Sequence, residues 1–362
     1  SLSAYGFWFS SNKFLLLFLR GIQGITQMTP CVYIPIWINQ FGVQDYKTLK
    51  MTSIQLSQTS GKCIAYLINY IIGSRNWKKG FLVAAIYMSF ATVCCACSDQ
   101  KYFSHTLFPV KNENNDDANK IRCTLFEETE KKSEEKKSNF FQDLKKLIVD
   151  KIFMVAMFSR CILHGMNTCL HYWLADFLRN AVGEKSQLKI MICYTVLCLV
   201  GPLLGIVANA ILKRFIGRYE SRKASWPVVW IQFLASISAM SISIFPDTYS
   251  TIGAAIVYLL LNSTALPLVQ GMLINCVDKD LSVTGYALTD ILTPVLVSGS
   301  FPAFYGVIND KYKAYNPRIA MRVCMGFQFM AIPLLICLAI WRNKKIDEEE
   351  KTKEEGRELI EK

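Results

Sequence analysis

The sequence predicts an all-α polytopic membrane protein, and three observations carry that prediction. The chain has 362 residues, of which 52% are hydrophobic and only 19% charged, and its mean hydropathy is positive, which is outside the range of ordinary soluble domains. Nine apolar runs are long enough to cross a hydrocarbon core of roughly 30 Å as helices. The basic residues behind the net charge of +12 gather in particular connections between those runs, which argues for membrane topology and against nucleic acid as a partner.

The runs lie at about 14–39, 51–73, 80–98, 152–178, 188–212, 225–245, 251–277, 284–308 and 319–341. The connection 213–223 holds Lys213, Arg214, Arg218, Arg222 and Lys223, whereas 246–250 has no basic residue and contains Asp247. Positive charge stays on the cytoplasmic side, so 40–50, 99–151, 213–224, 278–283 and the tail after Trp341 are expected there. An odd number of spans then puts Ser1 on the opposite face. Without an initiating Met, the chain is expected to be a fragment or processed form lacking earlier spans. Residues 1–10, "SLSAYGFWFS", have no basic n-region and do not read as a signal peptide.

Four segments follow in order: 1–98 with three spans, 99–151 as a cytoplasmic linker, 152–342 with six spans, and 343–362 as a charged cytoplasmic tail, read as a solvated helix or disorder. The linker contains "KNENNDDANK" and "EETEKKSEEKKS", too polar to bury a core. It ends in "NFFQDLKKLIVDK", where Phe140, Phe141, Leu144, Leu147 and Ile148 recur at helical spacing opposite Asp143, Lys145 and Lys146. That pattern fits an amphipathic interfacial helix or the solvated first turns of the next span. Of the thirteen cysteines, most lie inside the runs, where a free thiol behaves as a small apolar group. "CCAC" at 94–97 has no partner pair at zinc-ligand spacing, so no metal or other cofactor is expected.

Polar residues inside the spans bear on function, because a charged side chain at a helix centre costs roughly 2.5–3.5 kcal/mol on insertion scales. Arg20, Gln23 and Gln27 share one side of the first span, and Gln55, Gln58, Lys62, Tyr66 and Asn69 one side of the second. Arg160, His164, Asn167 and His171 do the same in the fourth. Asn262 and Gln270 mark the seventh span, and Tyr286, Asp290 and Thr293 the eighth. Such stripes can surround a common wet cavity; the competing reading is interhelical hydrogen bonding, worth about 0.6 kcal/mol each, which suits Asn69, Asn167 and Thr293. In "GPLLG", Gly201, Pro202 and Gly205 are expected to bend a helix or thin it for close packing, and Pro294 and Pro302 to allow similar adjustments.

"RGIQGITQM" resembles the fourth-helix motif of the major facilitator superfamily, R-x-x-Q-G-x-G-x-A. Arg20, Gln23 and Gly24 match it, while Thr26 and Met28 stand where small residues are usual. The segment is similar to the spinster-like branch, which has an acidic residue where Gln27 stands. "SGKCIAY" (60–66) resembles that branch's glycine-rich fifth helix, with Lys62 in place of a small residue. The stretch 266–312, ending in "YGVIND", resembles its tenth and eleventh helices, and "GRYESRK" (217–223) its shortened basic loop. The resemblance implies a major facilitator-type bundle of which helices four to twelve are present and the first three missing. It implies two halves that rock about a central site, and lysolipids or sphingoid phosphates as cargo in a plasma or endolysosomal membrane. A coupling acid is implied in the absent first helix, since an amide at Gln27 cannot carry a proton.

The expected function is therefore secondary transport, ion-coupled or facilitative. Arg20, Lys62 and Arg160 outnumber Asp290, so the cavity should suit an anionic or amphiphilic solute such as a lysolipid or organic anion. The candidate binding or coupling residues are Arg20, Gln23, Gln27, Lys62, Arg160, His164, Gln270, Tyr286 and Asp290. His164 is the candidate protonation switch, against the plainer reading of a structural hydrogen-bonding histidine. The protein is expected to work as a monomer among membrane lipids, without nucleic acid. No Walker loop or dinucleotide fingerprint is present, and the H-x-x-x-x-D spacing in "HYWLAD" lacks the rest of an acyltransferase site, so no enzyme is expected. The alternative is a transporter-like sensor or structural subunit that does not transport.

Overall fold

The computed structural model describes residues 2–41, 57, 60, 61, 63–68, 70–73, 76–98, 140–216, 223, 225–277 and 281–360. Gln55, Gln58, Lys62, Asn69 and the linker residues 99–139 lie outside them. Every regular element among the described residues is helical. In chain order these are α1 (Leu2–Phe9), α2 (Lys13–Phe41), α3 (Cys63–Ile72), α4 (Trp77–Cys97), α5 (Phe140–Val149), α6 (Lys151–Phe177), α7 (Gln187–Ile216), α8 (Ser225–Ile244), α9 (Thr248–Cys276), α10 (Ser282–Thr293), α11 (Ser300–Tyr312), α12 (Ile319–Gly326) and α13 (Ala331–Ile360).

Seven helical stretches are long and apolar enough to span a bilayer: Trp77–Cys97, Lys151–Val182, Gln187–Leu212, Ser225–Ile244, Thr248–Leu273, Ala287–Tyr312 and Ile319–Glu348. They correspond to seven of the nine expected runs. The first run falls within the 29 residues of α2, and of the second, positions 51–56, 58, 59, 62 and 69 lie outside the described residues. Large apolar side chains point outward along these helices, among them Phe90, Trp230 and Val307, each at least 65% exposed. Water would penalise such a surface, whereas acyl chains solvate it. The molecule is thus an all-α, multi-pass integral membrane protein.

The chain forms two compact units, residues 1–26 with 72–144, and 27–71 with 145–362. In the first, Asn12 starts α2 by accepting from the Phe14 amide at 3.0 Å, satisfying one of the helix's orphan donors. Helices α1 and α4 pack through Phe7 and Phe81, whose rings stack at 4.7 Å. Lys78 donates to Ser11 at 2.7 Å.

In the second unit α9 is central, packing on α6, α7 and α8, while α13 lies against α6 and α8. Gly201, Gly205 and Asn209 recur every four residues on α7 and so share a face. A Cβ at Gly205 would stand 2.5 Å from the Leu260 carbonyl oxygen, and one at Gly201 would stand 2.8 Å from Cβ of Leu259. The backbones therefore meet only because both side chains are absent. That approach brings the Gly205 carbonyl to 3.1 Å from the Thr264 hydroxyl, whose one hydrogen is shared with the Leu260 carbonyl at 2.8 Å, and lets Asn209 donate to the Thr264 carbonyl at 2.9 Å. Small residues and buried amides join helices in this way where lipid offers no hydrophobic drive.

Three helices are interrupted. Asp150 ends α5 and caps α6, accepting from the amides of Ile152 and Phe153 at 2.9 and 3.3 Å, so the segment 140–149 is a helix distinct from the span that follows. Its Leu147 is buried beside Phe153 and Gly285. The eighth run is broken by a π turn, Pro294–Ser298, between α10 and α11, because proline lacks the N–H that would continue the α ladder. The ninth passes through a 3-10 turn, Phe327–Met330, before α13, which continues as helix through Ile360.

Candidate functional site

Helix α6 carries the polar face. Spacings of four, three and four place Arg160, His164, Asn167 and His171 on one side of it. Across from it on α10, Oδ1 of Asp290 accepts from Nη2 of Arg160 at 2.6 Å, and each side chain is only 14% exposed. Two charges can sit at this depth because each cancels most of the other's desolvation cost. The pairing uses one tine of the guanidinium fork. Nη1 of Arg160 is buried and has no hydrogen-bond partner among the described residues.

Uncharged polar groups lie beside the pair. Cys161 Sγ lies 3.7 Å from Thr293 Oγ1, which itself donates to the Thr289 carbonyl at 2.7 Å. Thr293 thus meets its expected interhelical role as an acceptor, while its own hydrogen is held within α10. Asn262 of α9, fully buried, donates to the Leu163 carbonyl at 3.5 Å. Oδ1 of Asn262 and Oδ1 of Asn167 are buried without a hydrogen-bond partner among the described residues. His164 is partly buried one turn beyond Arg160.

Two turns further along the same face, His171 is the hub of a second polar cluster. Its carbonyl accepts from Tyr194 at 2.8 Å and from Tyr66 at 3.3 Å, and its Nδ1 lies 3.1 Å from the Tyr194 oxygen and 3.6 Å from Cys198 Sγ. The rings of Tyr66 and Tyr194 are 4.1 Å apart, so α3, α6 and α7 meet here. Nearer the end of α6, Trp173 stacks on Tyr305 at 4.7 Å and donates to the Pro302 carbonyl at 2.8 Å.

Of the residues nominated from the sequence, Arg160 and Asp290 are in direct contact, with His164 following on the same helix face. Gln270 is half-buried on α9. Arg20 is exposed on α2 and donates to Gln23 at 3.0 Å, a pair internal to the first unit. The backbones at Gln27 and Tyr286 are helical, and their side chains, like Lys62, lie outside the described residues. Tyr194 and Cys198 were not singled out; the one signal available was that both fall on one side of α7 at a four-residue spacing, facing an intramembrane histidine.

Two features lie outside the spans. Arg318 donates from Nη1 to the carbonyls of Ile244 and Phe245 at 3.0 and 2.7 Å, and from Nη2 to those of Pro246 and Ala181 at 3.4 and 3.5 Å. A cation at these orphan carbonyls complements two helix C-termini at once, that of α8 and that of the π turn Leu178–Val182 which continues α6. Glu184 pairs with Lys189 at 2.6 Å, accepts from the Ser186 amide and takes a hydrogen bond from Thr248 at 3.0 Å. The Lys189 ammonium, foremost, and the Ser186 amide hold its carboxyl below the ordinary glutamate range. No protein-family model and no curated protein matches this chain.

Proposed function

We propose that this protein is a transmembrane carrier that moves a small anionic or amphiphilic solute by alternating access. The observation that carries the reading is the Arg160–Asp290 pair at 2.6 Å between α6 and α10, with Nη1 of Arg160 buried and without a hydrogen-bond partner among the described residues. Intramembrane charges mark solute or ion pathways more often than they stabilise a fold, and an unused guanidinium donor is chemistry a cargo can use. The motifs that resemble the major facilitator superfamily, and its spinster-like branch in particular, support the same reading at the level of analogy. On that analogy the cargo is a lysolipid or an organic anion.

Flux into proteoliposomes tests this. Arg160→Ala alone is a poor probe, since it strands Asp290 at a cost of about 3–5 kcal/mol. The neutral pair Arg160→Gln with Asp290→Asn keeps the shape without the charges. Loss of lysophosphatidic acid and citrate flux in that double variant, with melting unchanged, is the expected result. Undiminished flux in it would remove the pair from the transport path. The mutual neutralisation of Arg160 and Asp290 is also what a non-transporting structural subunit would need, and absence of flux for every probe in the unaltered protein would favour that second reading.

A further inference from the structure

A guanidinium and a carboxylate are matched in geometry, and where space allows they join by two parallel hydrogen bonds. Here they do not. Asp290 occupies Nη2 of Arg160 alone, at 2.6 Å, while Nη1 is buried with no hydrogen-bond partner among the described residues. A buried donor left without an acceptor costs about 1–3 kcal/mol, so Nη1 is a donor that an arriving oxyanion would satisfy. Cys161 and Thr293 lie beside it, His164 and Asn167 follow on the same face of α6, and α9 carries no Asp, Glu, Lys, Arg or His between Thr248 and Cys276. The other carboxylate on α6, α9 and α10 is Asp176, more than four turns along α6 from Arg160 and so out of its reach.

We infer that Arg160 is the binding group for a carboxylate or phosphate of the cargo, and that Asp290 is its internal occupant, displaced from the guanidinium when the cargo engages both tines. This rests on the carrier reading and deepens it by assigning Asp290 the role of a competitor. A competitor behaves in the opposite way to a ligand-coordinating residue. Removing its charge strengthens cargo binding, whereas removing a coordinating or purely structural partner weakens it or leaves it unchanged. The occupant also closes the empty site, because an uncompensated guanidinium among apolar helices would be costly in every cycle that returns without cargo.

The test is equilibrium binding to the full chain in a nonionic detergent, by calorimetry and ligand-induced thermal shift. The probes are citrate, inorganic phosphate and lysophosphatidic acid, with uncharged monoacylglycerol as control. Asp290→Asn is expected to tighten at least one anionic probe by about tenfold or more, with no change for monoacylglycerol. Asp290→Ser carries the same expectation if the asparagine variant does not fold. Adding Arg160→Lys to either should abolish the gain, since an ammonium cannot span two oxygens as the fork does. A gain confined to lysophosphatidic acid assigns the guanidinium to a lipid headgroup, and one confined to citrate or phosphate to a free anion. Weaker or unchanged binding of every anionic probe in the neutral Asp290 variants overturns the inference. A tenfold gain in binding without any flux would leave this site standing and remove the carrier reading, and flux without the gain would do the reverse.

Discussion

Tyr194 gives its hydroxyl hydrogen to the backbone carbonyl of His171 at 2.8 Å while its oxygen faces Nδ1 of the same residue at 3.1 Å. A phenol has one hydrogen to give, so the second contact is satisfied only if His171 is the donor. The Tyr194 contact thus calls for the Nδ1–H tautomer, whereas the Cys198 thiol, 3.6 Å from the same nitrogen, would serve a bare Nδ1; in either form one tyrosine of α7 touches both the ring and the backbone of one residue of α6.

Tyr194→Phe should therefore leave Nδ1–H of His171 without that acceptor and its carbonyl with Tyr66 alone. A loss of about 1–3 kcal/mol is expected, read as a lower melting temperature in detergent. Nitrogen NMR of labelled histidine gives the sharper check: with Tyr194 as the acceptor the wild type should show His171 protonated at Nδ1, and a predominant Nε2–H form would make the Cys198 thiol the partner of Nδ1 instead.

The α7–α9 seam predicts opposite signs for two glycines. Gly205→Ala drives a methyl to 2.5 Å from the Leu260 carbonyl and should cost about 1–3 kcal/mol as the helices are forced apart. Gly253 is exposed on α9, and a Cβ there meets nothing within 4 Å; Gly253→Ala should gain up to about 1 kcal/mol. Paired melting curves settle both.

Arg318 holds carbonyls from two separate helix ends. Arg318→Lys keeps the charge but loses the fork that reaches Phe245 and Ala181 together. Destabilisation of about 1–2 kcal/mol is expected, with faster amide hydrogen exchange across 244–251. Equal exchange in the two proteins would mean that the clamp contributes nothing.

Acid should loosen the loop between α6 and α7. Because the folded protein holds Glu184 below the ordinary glutamate value of 4.5, its contribution is fully present above that value and is lost as pH falls through the depressed folded one. Between neutral pH and about 5 no change from this group is expected. Glu184→Gln should flatten the acid limb of the melting-temperature profile, and an unchanged limb would exclude the pairing with Lys189 as its cause.

Much of this architecture was legible in the sequence because a bilayer imposes its requirement one helix at a time. A span must be about 20 residues long and apolar whatever its neighbours are, and so the runs containing α4 and α6–α9 could be read from hydropathy alone. Arg160 and Asp290 were conspicuous for the same reason: charge inside such a run is expensive wherever it points. The glycines of "GPLLG" signalled close packing, though not that α9 would be the helix received. What the tertiary structure decided were relations between residues far apart in the chain: that Arg160 meets Asp290 by one tine of its fork, that His171 meets Tyr194, and that Arg318 reaches Ala181. Those choices depend on helix rotation and crossing, on the π turn at Pro294 and on the absent side chains at Gly201 and Gly205. A single helix's periodicity carries no information about the angle at which another will face it.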